Sequence, residues 1–154
     1  MTQTIWPRIE DLVPHKRDML LLDRIVSETD RTIRVVAEIG TDNVFLVPGF
    51  GVPGWVGFEM MAQAVATHDG LKRWRSGGAI SLGFLVACRH YACAAEWFAV
   101  GDRFEIETSP IMEPNETMMW ESRLYGAGGE IAVAELMVHQ PQDVVAFIEK
   151  ARSS

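Results

Sequence analysis

Hydrophobic and polar positions along the chain fall into a small number of distinct patterns. Residues 7–13 form an apolar-flanked stretch that ends before Pro14, which predicts one short helical turn. An apolar run over 19–26 is followed by a short polar stretch, 27–31. The segment 32–39 then alternates, with Ile33, Val35 and Ala37 set against Arg34, Val36 and Glu38, so two antiparallel strands are expected. Residues 40–54 are punctuated by Pro48, Gly49, Gly51, Pro53 and Gly54 and read as a loop. A helix is predicted over 55–74, stopped by Gly77-Gly78. Long β-like runs follow at 79–92, 103–112, 117–125 and 131–139, separated by Gly101-Asp102, Pro114-Asn115 and Ala127-Gly128-Gly129. The tail, 142–150, carries Val144, Val145 and Ile148 on one side and predicts a short helix.

Two strands, one long helix and four more strands make an α+β layout. The helix is apolar nearly all round and must be buried. An antiparallel sheet of about six strands, curved around that central helix, is the architecture that buries it. The chain has 154 residues, with no internal repeat and no linker-like change of composition, so residues 1–154 are expected to form a single domain.

Composition narrows the function classes. Apolar residues are 48% and charged residues 23%, which excludes a disordered chain. The most apolar stretch, 44–66, is broken by Pro48, Pro53 and Glu59, so no membrane span is expected. The N-terminus, MTQTIWPR, lacks a basic start leading into an apolar run, and two cysteines make no disulfide scaffold. A reducing, cytoplasmic setting is therefore expected. Twenty-one acids against fourteen bases leave a net charge of -7, which argues against nucleic acid as the partner. His15-Lys16-Arg17 and Lys72-Arg73-Arg75 are local basic groups, able to meet an acidic partner or simply to be a solvated edge.

Candidate chemistry concentrates on the helix. Glu59, Gln63 and Thr67 interrupt its apolar sequence at i, i+4 and i+8 and so share one stripe. A carboxylate on a buried helix is costly unless paired, and is suited to general acid or base work. The same stripe equally fits a face turned to solvent or to another subunit. Pro53-Gly54 sits where the helix starts; its free N–H groups suit a developing negative charge, or only a plain turn and cap. Cys88, His90 and Cys93 lie within six residues, but a closed zinc site needs four ligands, and in a strand Cys93 faces away from the other two, so no metal is expected. His68 reads as structural and His139 as exposed. No G-x-S-x-G elbow and no Gly-rich nucleotide loop occurs.

Several motifs taken together resemble a known family. LVPHKRDMLLLDRIV (12–26) resembles the opening of bacterial 3-hydroxyacyl-acyl-carrier-protein dehydratases, and VPGWVGFEMMAQAVA (52–66) resembles their central helix. SLGFLVACRHY (81–91), VGDRFEIET (100–108) and LMVHQP (136–141) are similar to the branch found in aryl-polyene lipid clusters. The resemblance implies a hot-dog fold, pairing into homodimers or heterodimers with another hot-dog protein, and a substrate that brings its own phosphopantetheine arm on acyl carrier protein or coenzyme A, with no further cofactor. It implies Glu59 as the catalytic carboxylate, Gln63 as its helix neighbour, and Pro53, Gly54 and Trp55 as the substrate-binding helix start whose N–H groups polarise the thioester carbonyl. The family's loop histidine maps, counted without gaps, onto Phe45, and residues 41–53 contain no histidine. His15, reaching across a dimer, is then the expected base. An acyl thioesterase, a non-catalytic subunit of a heteromeric dehydratase and a plain acyl-binding protein are the other readings.

Overall fold

The computed structural model describes residues 4–15, 17–78, 84–112, 117–139, 149–150 and 152–153. Among the described residues there are eight strands and one long helix: β1 Arg24–Glu28, β2 Ile33–Glu38, β3 Val52–Pro53, α1 Val56–Arg75, β4 Phe84–Cys93, β5 Trp97–Phe98, β6 Arg103–Met112, β7 Thr117–Gly126 and β8 Gly129–His139. Six of the strands form one sheet in the order β1-β2-β6-β7-β8-β4, every neighbouring pair antiparallel. Alternation along the strands decides which face packs inward. Ile33, Val35 and Ala37 of β2, Phe104 and Ile106 of β6, Trp120 and Leu124 of β7, and Ala132, Ala134 and Leu136 of β8 are all buried. They form one core with Val56, Met60, Met61, Ala64 and Leu71 of α1. The helix touches β6, β2, β7, β8 and β4, so the sheet wraps it as the apolar pattern requires. This is the hot-dog architecture.

On the other face of the sheet, Arg34 pairs with Glu105 at 2.9 Å and with Glu107 at 2.5 Å, and Arg123 pairs with Glu121 and Glu130. Ion pairs this exposed contribute little to stability. They do show where part of the acidic excess is spent.

The chain departs from expectation in three places. The apolar run 19–26 is not one strand: Arg17–Met19 is a 3-10 turn, and β1 starts at Arg24. Leu21 and Leu22 are buried, but the backbone at Leu21 is paired by a side chain of α1 rather than by a neighbouring strand. The turn predicted over 7–13 tightens to a 3-10 turn, Ile9–Asp11. It lies so close to α1 that a Cβ on Gly70 would meet the Leu12 carbonyl oxygen. Strands β3 and β5 were not expected. They pair Val52 with Phe98 and Pro53 with Trp97, outside the main sheet. The predicted strand segment 79–83 and most of the tail helix, 142–148, lie outside the described residues. Helix α1 ends as predicted, with Gly77 at φ +75° just beyond it and Lys72, Arg73 and Arg75 in the last turn, where cations suit the helix dipole. Among the described residues no helix is long and apolar enough to cross a membrane.

Candidate active site

The polar stripe on α1 is buried against the protein's own N-terminal segment. Gln63 is fully buried. Its Oε1 accepts the Leu21 N–H at 2.8 Å, and its Nε2 donates to the Met19 carbonyl at 2.7 Å and to Glu59 Oε1 at 3.2 Å. Both amide protons and the carbonyl are used, so the side chain has a single orientation. Thr67 is also fully buried, and its hydroxyl donates back to the Gln63 carbonyl at 2.8 Å. A stripe turned wholly to solvent is thereby excluded. Glu59, expected to be buried, is instead half-buried, with its side chain 29% exposed. It stands at the edge of the stripe, where the packing opens.

His15 reaches the same place from the loop after the first 3-10 turn. Its Nε2 lies 3.7 Å from Glu59 Oε1, and its side chain is 27% exposed. That separation is too long for a hydrogen bond but close enough for one small group to touch both. His15 Nδ1 is buried without a hydrogen-bond partner among the described residues. Sequence reading brought His15 in from a second copy across a dimer. Within one chain, the structure brings His15, Glu59 and Gln63 together.

The start of α1 also differs from expectation. Gly54 N–H, expected to face a substrate carbonyl, donates to the Glu96 carbonyl at 2.8 Å as an extension of the β3–β5 pairing. A Cβ on Gly54 would strike the Ala95 carbonyl oxygen, which is why a glycine stands there. The Gly57 and Phe58 N–H groups close turns onto Gly54 and Trp55 carbonyls, each at 3.2 Å. That leaves the N–H groups of Trp55 and Val56 with no acceptor among the described residues. Among the described residues no side chain caps the start of the helix. Of the two donors expected, Trp55 alone remains, one turn before Glu59.

Phe45, at the place where the resemblance expects a histidine, packs edge-on to Trp55 with ring centroids 5.5 Å apart. Trp55 itself is 55% exposed, and Val44 and Phe50 of the same loop are exposed as well. This side of the site is an apolar wall with no titratable group on Phe45. Pro53 is half-buried in β3.

Two of the basic side chains at the end of α1 are already paired. Arg73 bonds Asp69 at 2.9 Å, while Arg75 pairs with Glu28 and lies over the Trp6 ring. Lys16 lies outside the described residues, as does the side chain of Arg17. The side chain of Cys88 is also outside them. His90 is exposed, and Cys93 is half-buried with its Sγ 3.3 Å from the Ala95 carbonyl. His68 is buried and meets the Trp120 ring edge-on. His139, expected to be exposed, is half-buried.

Sequence reading missed two features. One is a polar cleft of about 310 Å³ beside the segment that Gln63 holds, lined by Asp18, Asp23, Glu38, Asp42 and Asn43. Asp23 is exposed at the rim, yet partial desolvation raises its pKa above the usual carboxylate value. Glu38 and Asp42 push the same way, and a hydrogen bond from the Glu38 N–H opposes them. The other is Tyr91 of β4, whose hydroxyl donates to the Gly54 carbonyl at 2.5 Å.

A model of the ApeP-like family, described as ApeP dehydratase, matches residues 7–149. The dehydratase heterocomplex ApeI:P from Xenorhabdus doucetiae contains a chain that superposes with a TM-score of 0.88 at 24% identity, covering 96% of this chain and 99% of that one. The E. coli PaaI protein from the phenylacetic acid degradation operon superposes with a TM-score of 0.56 at 16% identity, covering 75% and 80%. A hypothetical thioesterase from Streptococcus pneumoniae TIGR4, solved with coenzyme A, gives 0.57 at 13% identity, covering 77% and 84%. These solved structures bear on the fold alone. No curated protein sequence matches the chain.

Proposed function

Because the chain belongs to the ApeP-like dehydratase family, we propose that it removes water from a 3-hydroxyacyl thioester, with His15 and Glu59 as the paired base and acid. The observation that carries this reading is the 3.7 Å approach of His15 Nε2 to Glu59 Oε1 beside the fixed Gln63 amide.

The reaction needs two proton transfers. The C2–H bond breaks and its proton passes to His15 Nε2. The electron pair is held as an enolate, its oxygen stabilised by the Trp55 N–H at the helix start. It then forms the C2=C3 double bond as the C3–O bond breaks. The hydroxyl leaves as water with a proton from the Glu59 carboxyl. One group has gained a proton and the other has lost one. Their proximity lets the proton return from His15 to Glu59 and resets the site. Gln63 fixes Glu59 while this happens. The phosphopantetheine arm arrives with the acyl group on acyl carrier protein or coenzyme A, and an acyl chain of aryl-polyene type in a cytoplasmic setting fits the branch that the motifs resemble.

A second reading is favoured by Phe45. A chain without the loop histidine suits a heteromer in which another hot-dog subunit supplies it, and the Xenorhabdus doucetiae structure is a dehydratase heterocomplex. The test is mass spectrometry of a 3-hydroxyacyl carrier protein incubated with the purified protein. Loss of one water is expected and supports the dehydratase. Release of free acid would assign a thioesterase. Unchanged substrate, with water lost only after a second hot-dog protein is added, would make this chain the supporting subunit.

A further inference from the structure

We infer that Tyr91 is a positioning residue for the oxyanion-stabilising peptide of this site; the inference rests on the dehydratase reading only for the identity of the substrate. The Tyr91 hydroxyl donates to the carbonyl of Gly54. That carbonyl belongs to the same peptide unit as the Trp55 N–H, the helix-start donor left without an acceptor among the described residues. A hydrogen bond received at the oxygen of a peptide polarises the unit and makes its N–H a stronger donor. The Gly54 carbonyl also receives the Gly57 N–H at 3.2 Å. Two donors on one oxygen fix the plane of the peptide, and with it the direction of the Trp55 N–H.

Two further observations show that the contact is built. Gly57 occupies the first turn of α1, where alanine is intrinsically better by about 1 kcal/mol. A Cβ at Gly57 would lie 2.5 Å from the Tyr91 oxygen. The missing side chain keeps room for the hydroxyl. On the strand side, the β4–β8 register shifts between Arg89 and Ala92, and His90 takes φ +58°, unusual for a residue with a side chain. This bulge re-aims the strand at Tyr91, whose ring packs 6.1 Å from that of Phe58 on α1. Neither feature is needed by a strand that only fills the sheet.

The experiment uses a saturated octanoyl-pantetheine thioester carrying ¹³C at the carbonyl, read by isotope-edited infrared spectroscopy on the whole protein. A saturated thioester has no hydroxyl to lose, so the probe reports polarisation whether or not the protein is a dehydratase. On wild-type protein the carbonyl band is expected to move to lower wavenumber. Tyr91→Phe keeps the ring and should return the band toward its free position with probe affinity unchanged. Gly57→Ala should do the same by displacing the hydroxyl from the helix side, and serves if Tyr91→Phe folds poorly. With a 3-hydroxyacyl substrate, Tyr91→Phe should lower kcat about ten-fold at constant KM, short of the hundred-fold or greater cost of removing an oxyanion donor outright. An equal band shift in wild type and both variants would overturn the inference, as would the absence of a shift in wild type. A shift that depends on Tyr91 in a protein that loses no water from 3-hydroxyacyl carrier protein would uphold the inference and sink the dehydratase reading instead.

Discussion

Replacing Gln63 by leucine removes the clamp that joins α1 to the N-terminal segment. Leucine is similar in volume, so the change is mainly one of hydrogen bonding. The buried Leu21 N–H loses its acceptor, and an unsatisfied buried donor costs about 1–3 kcal/mol. The Met19 carbonyl also loses its donor, but Met19 is exposed and water can replace the bond for a few tenths of a kcal/mol or so. The Glu59 bond is longer and half-exposed and adds little. New apolar burial by leucine offsets part of the loss. The net expectation is a destabilisation of about 2 kcal/mol, which for a chain of this size lowers Tm by about 4–8 °C. Thermal unfolding followed by circular dichroism, with urea unfolding to check that the slope is unchanged, measures it. A Tm within a degree of wild type, in a variant with native spectra, would refute the claim that this amide organises residues 19–21. Gln63→Glu sharpens the test. The new carboxylate accepts the Leu21 N–H but repels Glu59 and the Met19 carbonyl, so its penalty should grow as pH rises from 4 to 7.

Other outcomes follow from the same geometry. Glu59→Gln keeps the size and a hydrogen-bonding group beside Gln63 but cannot give a proton; water loss from a 3-hydroxyacyl carrier protein should fall about a hundred-fold or more, with Tm little changed. If turnover survives, Glu59 is not the acid. Asp23→Asn should raise Tm at pH 7 and leave it unchanged at pH 3. The folded pKa of Asp23 is raised, so its charged form is the penalised one and the penalty disappears once the carboxyl is protonated; a gain of equal size at both pH values would contradict the cause given. Gly70→Ala places a methyl group against the Leu12 carbonyl and should cost about 1–3 kcal/mol by overpacking despite the better helix propensity of alanine. A variant as stable as wild type in thermal melts would show that the 3-10 turn Ile9–Asp11 is free to shift.

The helix was legible because it is apolar on nearly every side and ends at paired glycines, and β6, β7 and β8 because their alternation is regular. The run 19–26 misled because burial does not say what pairs the backbone; here a glutamine 42 residues away bonds Leu21. Glu59 and Gln63 stood out as interruptions at helical spacing, whereas His15 came only from a motif resemblance, since nothing local links it to α1. The Gly54 N–H was misassigned because a two-residue pairing such as β3–β5 has no periodicity to detect. Tyr91 was invisible for a related reason. A bulge breaks the two-residue rhythm on which strand reading depends.

The strand order has a consequence for how the protein comes to exist. The neighbours β6, β7 and β8 are joined by short connections and can zip up locally. By contrast β2 must find β6 across nearly half of the chain, as in the pairing of Arg34 with Glu107. Closing so long a loop costs entropy before any contact rewards it. The expected kinetic order is therefore meander first and N-terminal hairpin last, and pulse-labelled amide exchange should protect β7 and β8 before the Leu21 amide. His15 and the Gln63 clamp both depend on that late step. A nascent or partly refolded molecule would then hold Glu59 on its helix while still lacking His15 beside it, compact in its sheet with the proposed catalytic pair unassembled until the first quarter of the chain docks.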